Sequence, residues 1–296
     1  MVLKAFGRTG LKVTQLGFGA MELRGPKTWS GRDVSEQQSE RILNAVLDAG
    51  IKFIDTAYDY GHSEERIGRY ISSRRKEYYL ATKCGCDPRD VGERIDTPHT
   101  WTRENLFRNI HGSLERMKTD RVDVLQLHNP KPADVRKGGL VEALKEIQSQ
   151  GMTSFIGIST TLPHLPEFVE MGVFDTFQIP YSCLEPKHHD AITLAAEAGA
   201  GIIIRGGISA GGPESGALWR VNVDTWKEAK LDELLDGMKP AELILRYTLT
   251  HPHCHTTIVG TLNPDHLAAN LAAAEKGPLP AEIYEEVRRR VAGVAK

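Results

Sequence analysis

The chain has 296 residues, of which 40% are hydrophobic and 26% are charged, and its net charge is −2. That length suits two ordinary domains or one large α/β barrel. The balanced charge gives no reason to expect a nucleic-acid or membrane-surface partner. The four cysteines are scattered, which predicts reduced thiols rather than a disulfide framework. The sequence shows neither a signal-peptide pattern nor an apolar run of membrane length, so we expect a cytoplasmic protein.

The first residues predict an antiparallel hairpin over 3–14, and a regular alternation of strands and helices follows it. A strand is expected at 16–19, and a helix over 35–49 ends at Gly50 in the C′ position. The next strand, 51–57, leads into a helix with Ser63 as its N-cap that runs to about residue 73. Further strands are predicted at 78–83, 122–128, 155–159, 176–179, 201–205 and 256–259. Further helices are predicted at 102–117, 139–150, 165–171, 188–198, 240–250, 264–274 and from about 280.

The predicted strands are short continuous apolar runs, which are typical of parallel strands buried on both faces. Eight strand-then-helix units over this length favour a closed (β/α)8 TIM barrel over an open doubly wound sheet. We expect the N-terminal β-hairpin to plug the bottom of the barrel and the last helix to be an extra C-terminal one. A long irregular stretch is expected at about 206–238. Because no linker divides the chain, residues 1–296 are predicted to form a single domain.

Polar side chains stand where these predicted strands end, which is the active-site face of such a barrel. They are Asp55, Tyr58 or Tyr60, Lys83, His128, Ser159, Gln178 and Arg205. Each residue alone has an ordinary structural interpretation, so it is their convergence on one cavity that favours function.

The chemistry of this set suits a carbonyl group that becomes an alkoxide. The charge of Lys83 favours the phenolate of a neighbouring tyrosine and lowers its pKa, and Asp55 would hold the ammonium in place. His128 would polarise or orient the carbonyl oxygen. The set contains no hydride source, so a cofactor must supply one. The spacing leaves Tyr58 and Tyr60 both open as the proton donor.

These residues lie in motifs that resemble the aldo-keto reductase family. The motifs are the stretch 53–64, Ala81-Thr82-Lys83, the stretch 113–123, Leu125-Gln126-Leu127-His128, Gly157-Ile158-Ser159, Gln178 and the stretch 260–270. The resemblance implies a barrel that reduces aldehydes or ketones with a nicotinamide cofactor. It implies a catalytic tetrad of Asp55, Tyr60, Lys83 and His128. Tyr60 is the implied general acid, because the family tyrosine directly precedes a glycine.

The resemblance also implies where the cofactor and substrate bind. The implied cofactor residues are Gly19, Ala20, Met21, Asp55, Ser159, Thr160, Gln178, Arg205, Gly206, Ile208, Gly260, Thr261, His266 and Asn270. Of these, Ser159 and Gln178 belong near the nicotinamide, and the loop after Arg205 belongs along the pyrophosphate. The last three belong around the adenosine end. The implied substrate pocket consists of Met21, Trp29, Tyr60 and His128.

The sequence departs from the family pattern in three respects. Thr160 stands where asparagine is usual, and Arg205 stands where a stacking aromatic is common, although a guanidinium can also stack. Relatives place a lysine or arginine near positions 260, 262 or 266 to meet the 2′-phosphate of NADP, and here only His266 could carry charge. We therefore expect NADP(H) to be favoured and NAD(H) to be usable.

Two other motifs resemble metal or redox sites. The run 251–255 contains three histidines and a cysteine, but its spacing matches no usual zinc pattern and it falls on the stability face of the barrel. Cys84 and Cys86 are too close for a Cys-x-x-Cys redox motif, so we expect packing cysteines. The sequence therefore predicts no metal.

Two further functions stay open beside a reductase acting on a small carbonyl compound. The first is a lyase or aldolase in which Lys83 forms a Schiff base with its substrate. The second is a non-catalytic barrel that binds a nicotinamide cofactor as a sensor. The complete tetrad argues against the sensor.

Overall fold

Eight strands close into a parallel barrel, in a computed structural model that describes residues 1–213 and 223–294. The described strands are β1 (Leu3–Ala5), β2 (Lys12–Thr14), β3 (Leu16–Gly19), β4 (Phe53–Asp55), β5 (Tyr79–Cys84), β6 (Arg89–Asp90), β7 (Ile95–Asp96), β8 (Val122–His128), β9 (Thr153–Ser159), β10 (Thr176–Pro180), β11 (Gly201–Arg205) and β12 (Thr256–Val259). The barrel order is β3-β4-β5-β8-β9-β10-β11-β12, and β12 pairs with β3 to close the ring. The predicted (β/α)8 barrel is confirmed.

Helices surround the barrel and connect its parallel strands. They are α1 (Glu36–Asp48), α2 (Ser63–Tyr70), α3 (Arg103–Met117), α4 (Pro132–Lys137), α5 (Leu140–Ser149), α6 (Leu165–Glu170), α7 (His189–Glu197), α8 (Val223–Glu228), α9 (Pro240–Thr250), α10 (Pro264–Glu275) and α11 (Ala281–Val294). The last of them is the predicted extra helix. None of the described helices is long and apolar enough to cross a membrane.

The hairpin of β1 and β2 lies across the bottom of the barrel, as predicted. Phe6 and Val13 join one buried cluster with Phe53 of β4, and the ring centroids of the two phenylalanines are 5.5 Å apart. The backbone N–H of Arg8 donates to the carbonyl of Gly199, just before β11. Side chains of the hairpin therefore fill the lower end of the barrel, and the carboxyl ends of the strands form the opposite face.

The start of α2 differs from its prediction. Ser63 is the first helical residue and His62 is the N-cap, so the prediction of a serine cap is wrong. The Ser63 hydroxyl instead donates to the carbonyl of Ala20 at 2.9 Å and contacts Thr56 Oγ1 at 2.9 Å. A contact between the β4 loop and the turn after β3 has thus replaced a local cap. The helix ends at Tyr70 rather than near residue 73.

Several short elements were not predicted. These are α4, α8 and the small hairpin of β6 and β7, which all lie within connections between longer elements. Residues 206–238, predicted to be irregular, include α8, and 214–222 lie outside the described residues. Elements of two to six residues carry too little periodicity to be recognised from sequence.

Candidate active site

A buried ion pair joins the ends of β4 and β5. Lys83 is 0% exposed, and its Nζ donates to Asp55 Oδ2 at 2.6 Å and to the carbonyl of Thr56 at 2.8 Å. Burial is the largest effect and disfavours the ammonium, but Asp55, Tyr60 and Asp59 together outweigh it, so the pKa of Lys83 is raised. The lysine therefore presents a fixed positive charge at this end of the barrel.

Two glutamines hold the other oxygen of Asp55. Gln126 Nε2 donates to Asp55 Oδ1 at 3.0 Å, and Gln178 Nε2 donates to the same atom at 2.7 Å. The side-chain oxygen of Gln178, Oε1, accepts from Ser159 Oγ at 3.4 Å. Gln126 was not singled out from sequence, although an amide inside the apolar strand β8 is a detectable signal. Strands β8, β9 and β10 thus all fix the position of the carboxylate.

Tyr60 lies beside this ion pair. Its side chain is buried, with Lys83 Nζ 4.8 Å from the ring centroid and the His128 ring 6.0 Å away. Burial raises the pKa of Tyr60, and the charge of Lys83 offsets only part of that effect. The predicted effect of Lys83 is present, because its charge lowers the pKa of Tyr60, but burial outweighs it and the net pKa is raised. The hydroxyl keeps its proton at neutral pH.

Tyr58 points away from this cluster. The guanidinium carbon of Arg116 lies 4.1 Å from the centroid of the Tyr58 ring, and the ring also approaches Gly112 of α3. Of the two tyrosines that the spacing left open, Tyr60 is the one beside Lys83.

His128 ends β8 and contacts two residues that the sequence analysis did not assign to the site. Its Nδ1 lies 3.4 Å from Asp59 Oδ1 and 3.2 Å from Cys86 Sγ. Burial disfavours the Asp59 carboxylate, but His128, Cys86 and Lys83 together outweigh that effect, so the pKa of Asp59 is lowered. Asp59 stands between the two tyrosines in sequence, and Cys86 was expected to be a packing residue. Neither position alone indicated contact with His128.

Trp29 and Met21 reach the same face from the loop after β3. The Trp29 ring is 39% exposed, and its centroid lies 5.5 Å from that of Tyr60. Its Nε1 donates to Thr97 Oγ1 at 3.0 Å, and Trp29 lines a cavity of ≈ 300 Å³ with residues 93–97. Met21 lies in the 3-10 turn Ala20–Arg24 and is half-buried. Trp29 therefore contacts the candidate acid directly.

The residues assigned to the cofactor follow successive strands on this face. Ser159 ends β9 and Thr160 follows it, while Gln178 lies in β10. Arg205 ends β11 with Gly206 and Ile208 after it, Gly260 and Thr261 follow β12, and His266 and Asn270 lie on α10. Gly19 and Gly260 approach closely, because a Cβ on Gly260 would lie 2.7 Å from the Gly19 carbonyl oxygen. The connections that follow β3 and β12 therefore pack backbone against backbone at this point.

Arg205 carries an unused donor that suits an anionic group. Its Nε is buried and has no hydrogen-bond partner among the described residues. A buried donor left unpaired costs about 1–3 kcal/mol, which a phosphate oxygen would recover. Gly206 follows at a φ of +71°, which shapes the turn after β11. The residues present therefore fit a pyrophosphate-containing cofactor at this position.

At the start of α10, in contrast to Arg205, the polar groups are paired with one another. Asn263 caps the helix by accepting from the backbone N–H of Asp265, and Thr261 Oγ1 accepts from the N–H of Asn263. His266 is exposed in the first turns, whereas Asn270 is buried one turn later. A ligand at this helix end would meet His266 at the surface.

The histidine-rich run 251–255 is engaged in backbone contacts away from the site. His255 Nδ1 accepts from the N–H of Ile202 at the start of β11, and His251 Nδ1 accepts from the N–H of His253. Cys254 is fully buried between them. The run therefore supports the lower end of the barrel.

Comparisons with known proteins agree with this geometry. The model of the aldo/keto reductase family matches residues 15–291. An aldo-keto reductase from Bacillus halodurans in its holo form superposes with a TM-score of 0.84 at 27% identity, covering 100% of this chain and 97% of that one. L-galactose dehydrogenase of Arabidopsis thaliana is 28% identical over 92% of this chain and 87% of its own length. D-threo-aldose 1-dehydrogenase of a Pseudomonas species is 29% identical over 67% of each chain. With the family match spanning nearly the whole sequence and the barrel closed around a tyrosine, a lysine and an aspartate, the chain belongs to the aldo/keto reductase family.

Proposed function

We propose that this chain reduces aldehydes or ketones to alcohols with a nicotinamide cofactor, and that Tyr60 is the general acid. The observation that carries the proposal is the contact series from Asp55 through Lys83 to Tyr60 on the active-site face. Family membership supports NAD(P)H-dependent carbonyl reduction as the general activity. We further propose that residues 1–296 act as one domain, in the cytoplasm, on a small carbonyl compound.

In this mechanism each residue has a separate task. The bound nicotinamide cofactor supplies the hydride. Tyr60 donates its proton to the carbonyl oxygen as negative charge develops there. An alkoxide is more basic than a phenolate, so the transfer is favourable even though the pKa of Tyr60 is raised. Lys83, held by Asp55, stabilises the phenolate that remains, and His128 orients the carbonyl oxygen.

The cofactor would be held by the residues that follow the later strands. Ser159 and Gln178 would meet the nicotinamide end, where Gln178 is already fixed by its bond to Asp55. Arg205 Nε would donate to the pyrophosphate, which would satisfy its free hydrogen-bonding capacity. Thr261, His266 and Asn270 would surround the adenosine end.

The lyase alternative requires Lys83 as a neutral nucleophile, because only a free amine attacks a carbonyl carbon. The Asp55 carboxylate at 2.6 Å and the raised pKa of Lys83 both oppose the neutral form. We expect borohydride treatment with a panel of carbonyl compounds to leave Lys83 unmodified, as measured by peptide mass spectrometry. A trapped adduct on Lys83 would support the lyase and contradict the reductase.

The sensor alternative requires cofactor binding but no proton donor. A barrel that only binds the nucleotide has no need of a buried lysine in contact with both a tyrosine and an aspartate. Buried ion pairs are costly to maintain unless they have a role, so the contact favours catalysis.

The preferred nucleotide should be NADPH, by a modest margin. The 2′-phosphate of NADPH favours a cation, and the exposed imidazole of His266 is the expected group. A single imidazole lacks the forked donors of a guanidinium, so we expect a modest preference for NADPH with measurable NADH activity. The measurement is the dissociation constant of each nucleotide.

Two variants of His266 control this comparison. His266→Arg should tighten NADPH binding and leave NADH binding nearly unchanged, since a guanidinium keeps its charge. His266→Ala should weaken NADPH binding and leave NADH binding unchanged. A strong NADPH preference that survives His266→Ala would mean that another cation, such as Arg205, holds the phosphate.

A further inference from the structure

Four side chains that can each ligate a metal ion meet beside the candidate active site. Asp59, Cys86, His99 and His128 each offer one carboxylate oxygen, sulfur or ring nitrogen, and these atoms all lie within 4.8 Å of one another. Asp59, Cys86 and His128 are buried, and His99 is exposed. A carboxylate, a thiol and two imidazoles are ligands that zinc and its neighbours in the first transition series prefer.

The closest distances in this cluster match a tetrahedral site. Ligand bonds of about 2.0 Å for nitrogen or oxygen and about 2.3 Å for sulfur place tetrahedral ligand atoms about 3.3–3.5 Å apart. The distance from His128 Nδ1 is 3.4 Å to Asp59 Oδ1 and 3.2 Å to Cys86 Sγ. These two spacings are close to those that a tetrahedral site requires, and the other separations between ligand atoms in the set are at most 4.8 Å.

Asp59 gives an independent indication of a missing ligand. It is 1% exposed, and neither carboxylate oxygen has a hydrogen-bond partner of good geometry among residues 1–213 and 223–294. Its polar neighbours are the imidazole of His128, whose Nδ1 lies 3.4 Å from Oδ1, and the thiol of Cys86. A buried carboxylate with unused acceptor capacity is costly, and a bound cation would satisfy it.

The backbone holds the other ligands in place. Cys86 and His99 are partners in an antiparallel β-bridge, so their segments face each other across a narrow ribbon. The carbonyl of Cys86 accepts from the side-chain amides of Asn105 and Asn109 at 3.2 and 3.0 Å. The His99 ring stacks on Trp101 with a centroid distance of 5.2 Å. Fixed supports of this kind preorganise a metal site.

We propose that this cluster binds one divalent transition-metal ion of the zinc class through Asp59, Cys86, His99 and His128. The Cys86 thiol loses its proton to solvent on binding, as coordinating thiols do. The resulting site has two negative ligands, two neutral imidazoles and a doubly charged ion, so its net charge is zero. The exposed His99 provides the entry path. Coordination through Nδ1 of His128 leaves the ring proton on Nε2 and so fixes the tautomer of the imidazole.

Cobalt(II) is the probe that tests this proposal, because its spectrum reports both geometry and thiolate coordination. Untagged full-length protein, freed of metal by chelation, is titrated with CoCl2. We expect one equivalent to bind, with visible bands of a tetrahedral site and a thiolate-to-cobalt charge-transfer band, and we expect ZnCl2 to abolish both. His99→Ala should weaken binding at least tenfold, and Cys86→Ser should remove the charge-transfer band.

Matched controls separate this site from other thiols and histidines. Cys84→Ser alters a buried cysteine two residues away whose sulfur donates to the carbonyl of Gln126, and His62→Ala removes another exposed imidazole. Both should keep the cobalt spectrum. His99→Ala is the variant least able to disturb folding, and circular dichroism verifies each variant.

The proposal is overturned by the absence of stoichiometric binding, by a spectrum that His99→Ala and Cys86→Ser leave unchanged, or by loss of the charge-transfer band in Cys84→Ser. The metal site is a property additional to the proposed reductase activity, and the cobalt spectrum that reports it does not depend on turnover. Tyr60→Phe should retain the full cobalt spectrum, so failure of the metal site and failure of the reductase mechanism are distinguishable.

Discussion

Replacement of Tyr60 by phenylalanine should lower the rate of carbonyl reduction by about 10²–10⁴-fold, the range expected for loss of a general acid. The ring stays in place, so its packing against Trp29 and its position beside Lys83 are retained. Because only the hydroxyl is removed, the dissociation constant of the nicotinamide cofactor should stay near the wild-type value. The measurement is kcat from cofactor absorbance together with cofactor binding by fluorescence.

Tyr58→Phe is the matched control. It removes a hydroxyl two residues away on a ring that packs against Arg116 rather than at the ion pair. Its turnover should remain close to wild type. A larger loss of turnover in Tyr58→Phe than in Tyr60→Phe would contradict the assignment of the acid.

Lys83→Met should abolish most activity and also destabilise the fold. The substitution leaves Asp55 buried without its cation, and breaking one partner of a buried pair typically costs about 3–5 kcal/mol. Gln126 and Gln178 still donate to the carboxylate, so we expect a loss near the lower end of that range. The free energy of unfolding from denaturant titration measures it.

The double variant Asp55→Asn, Lys83→Met isolates the cause of that loss. Asparagine keeps an acceptor for both glutamines but removes the stranded charge, so the double variant should be more stable than Lys83→Met alone. Equal stability of the two variants would show that the unpaired carboxylate is not what destabilises Lys83→Met.

The elements that the sequence predicted best are those whose burial follows from local composition. In β8 all seven residues from Val122 to His128 are buried, and a mostly apolar run ending in histidine predicted both the strand and the residue at its carboxyl end. Asp55 and Lys83 were predicted to pair because adjacent parallel strands end at the same face. The fold was therefore predictable from the alternation of strands and helices, and the ion pair was predictable from where two neighbouring strands end.

Features that depend on which loops meet, or on how deeply a side chain is buried, could not be predicted in this way. The cluster of Asp59, Cys86 and His99 forms only because separate connections meet above β8, and their separations along the chain carry no periodic signal. The raised pKa of Tyr60 depends on how completely the phenol is buried, which composition does not reveal. Ser63 was expected to cap its own helix, but a long-range acceptor at Ala20 prevailed.

The most direct test of the account is deuterium transfer. The protein is incubated with a panel of aldehydes and ketones and with NADPH or NADH deuterated on the transferring face of the nicotinamide, and the products are analysed by mass spectrometry. Hydride transfer with Tyr60 as the acid predicts an alcohol carrying one deuterium on the former carbonyl carbon, and a much slower appearance of that alcohol in Tyr60→Phe. Cofactor binding without deuterated product for any carbonyl compound, or equal rates in wild type and Tyr60→Phe, would contradict it.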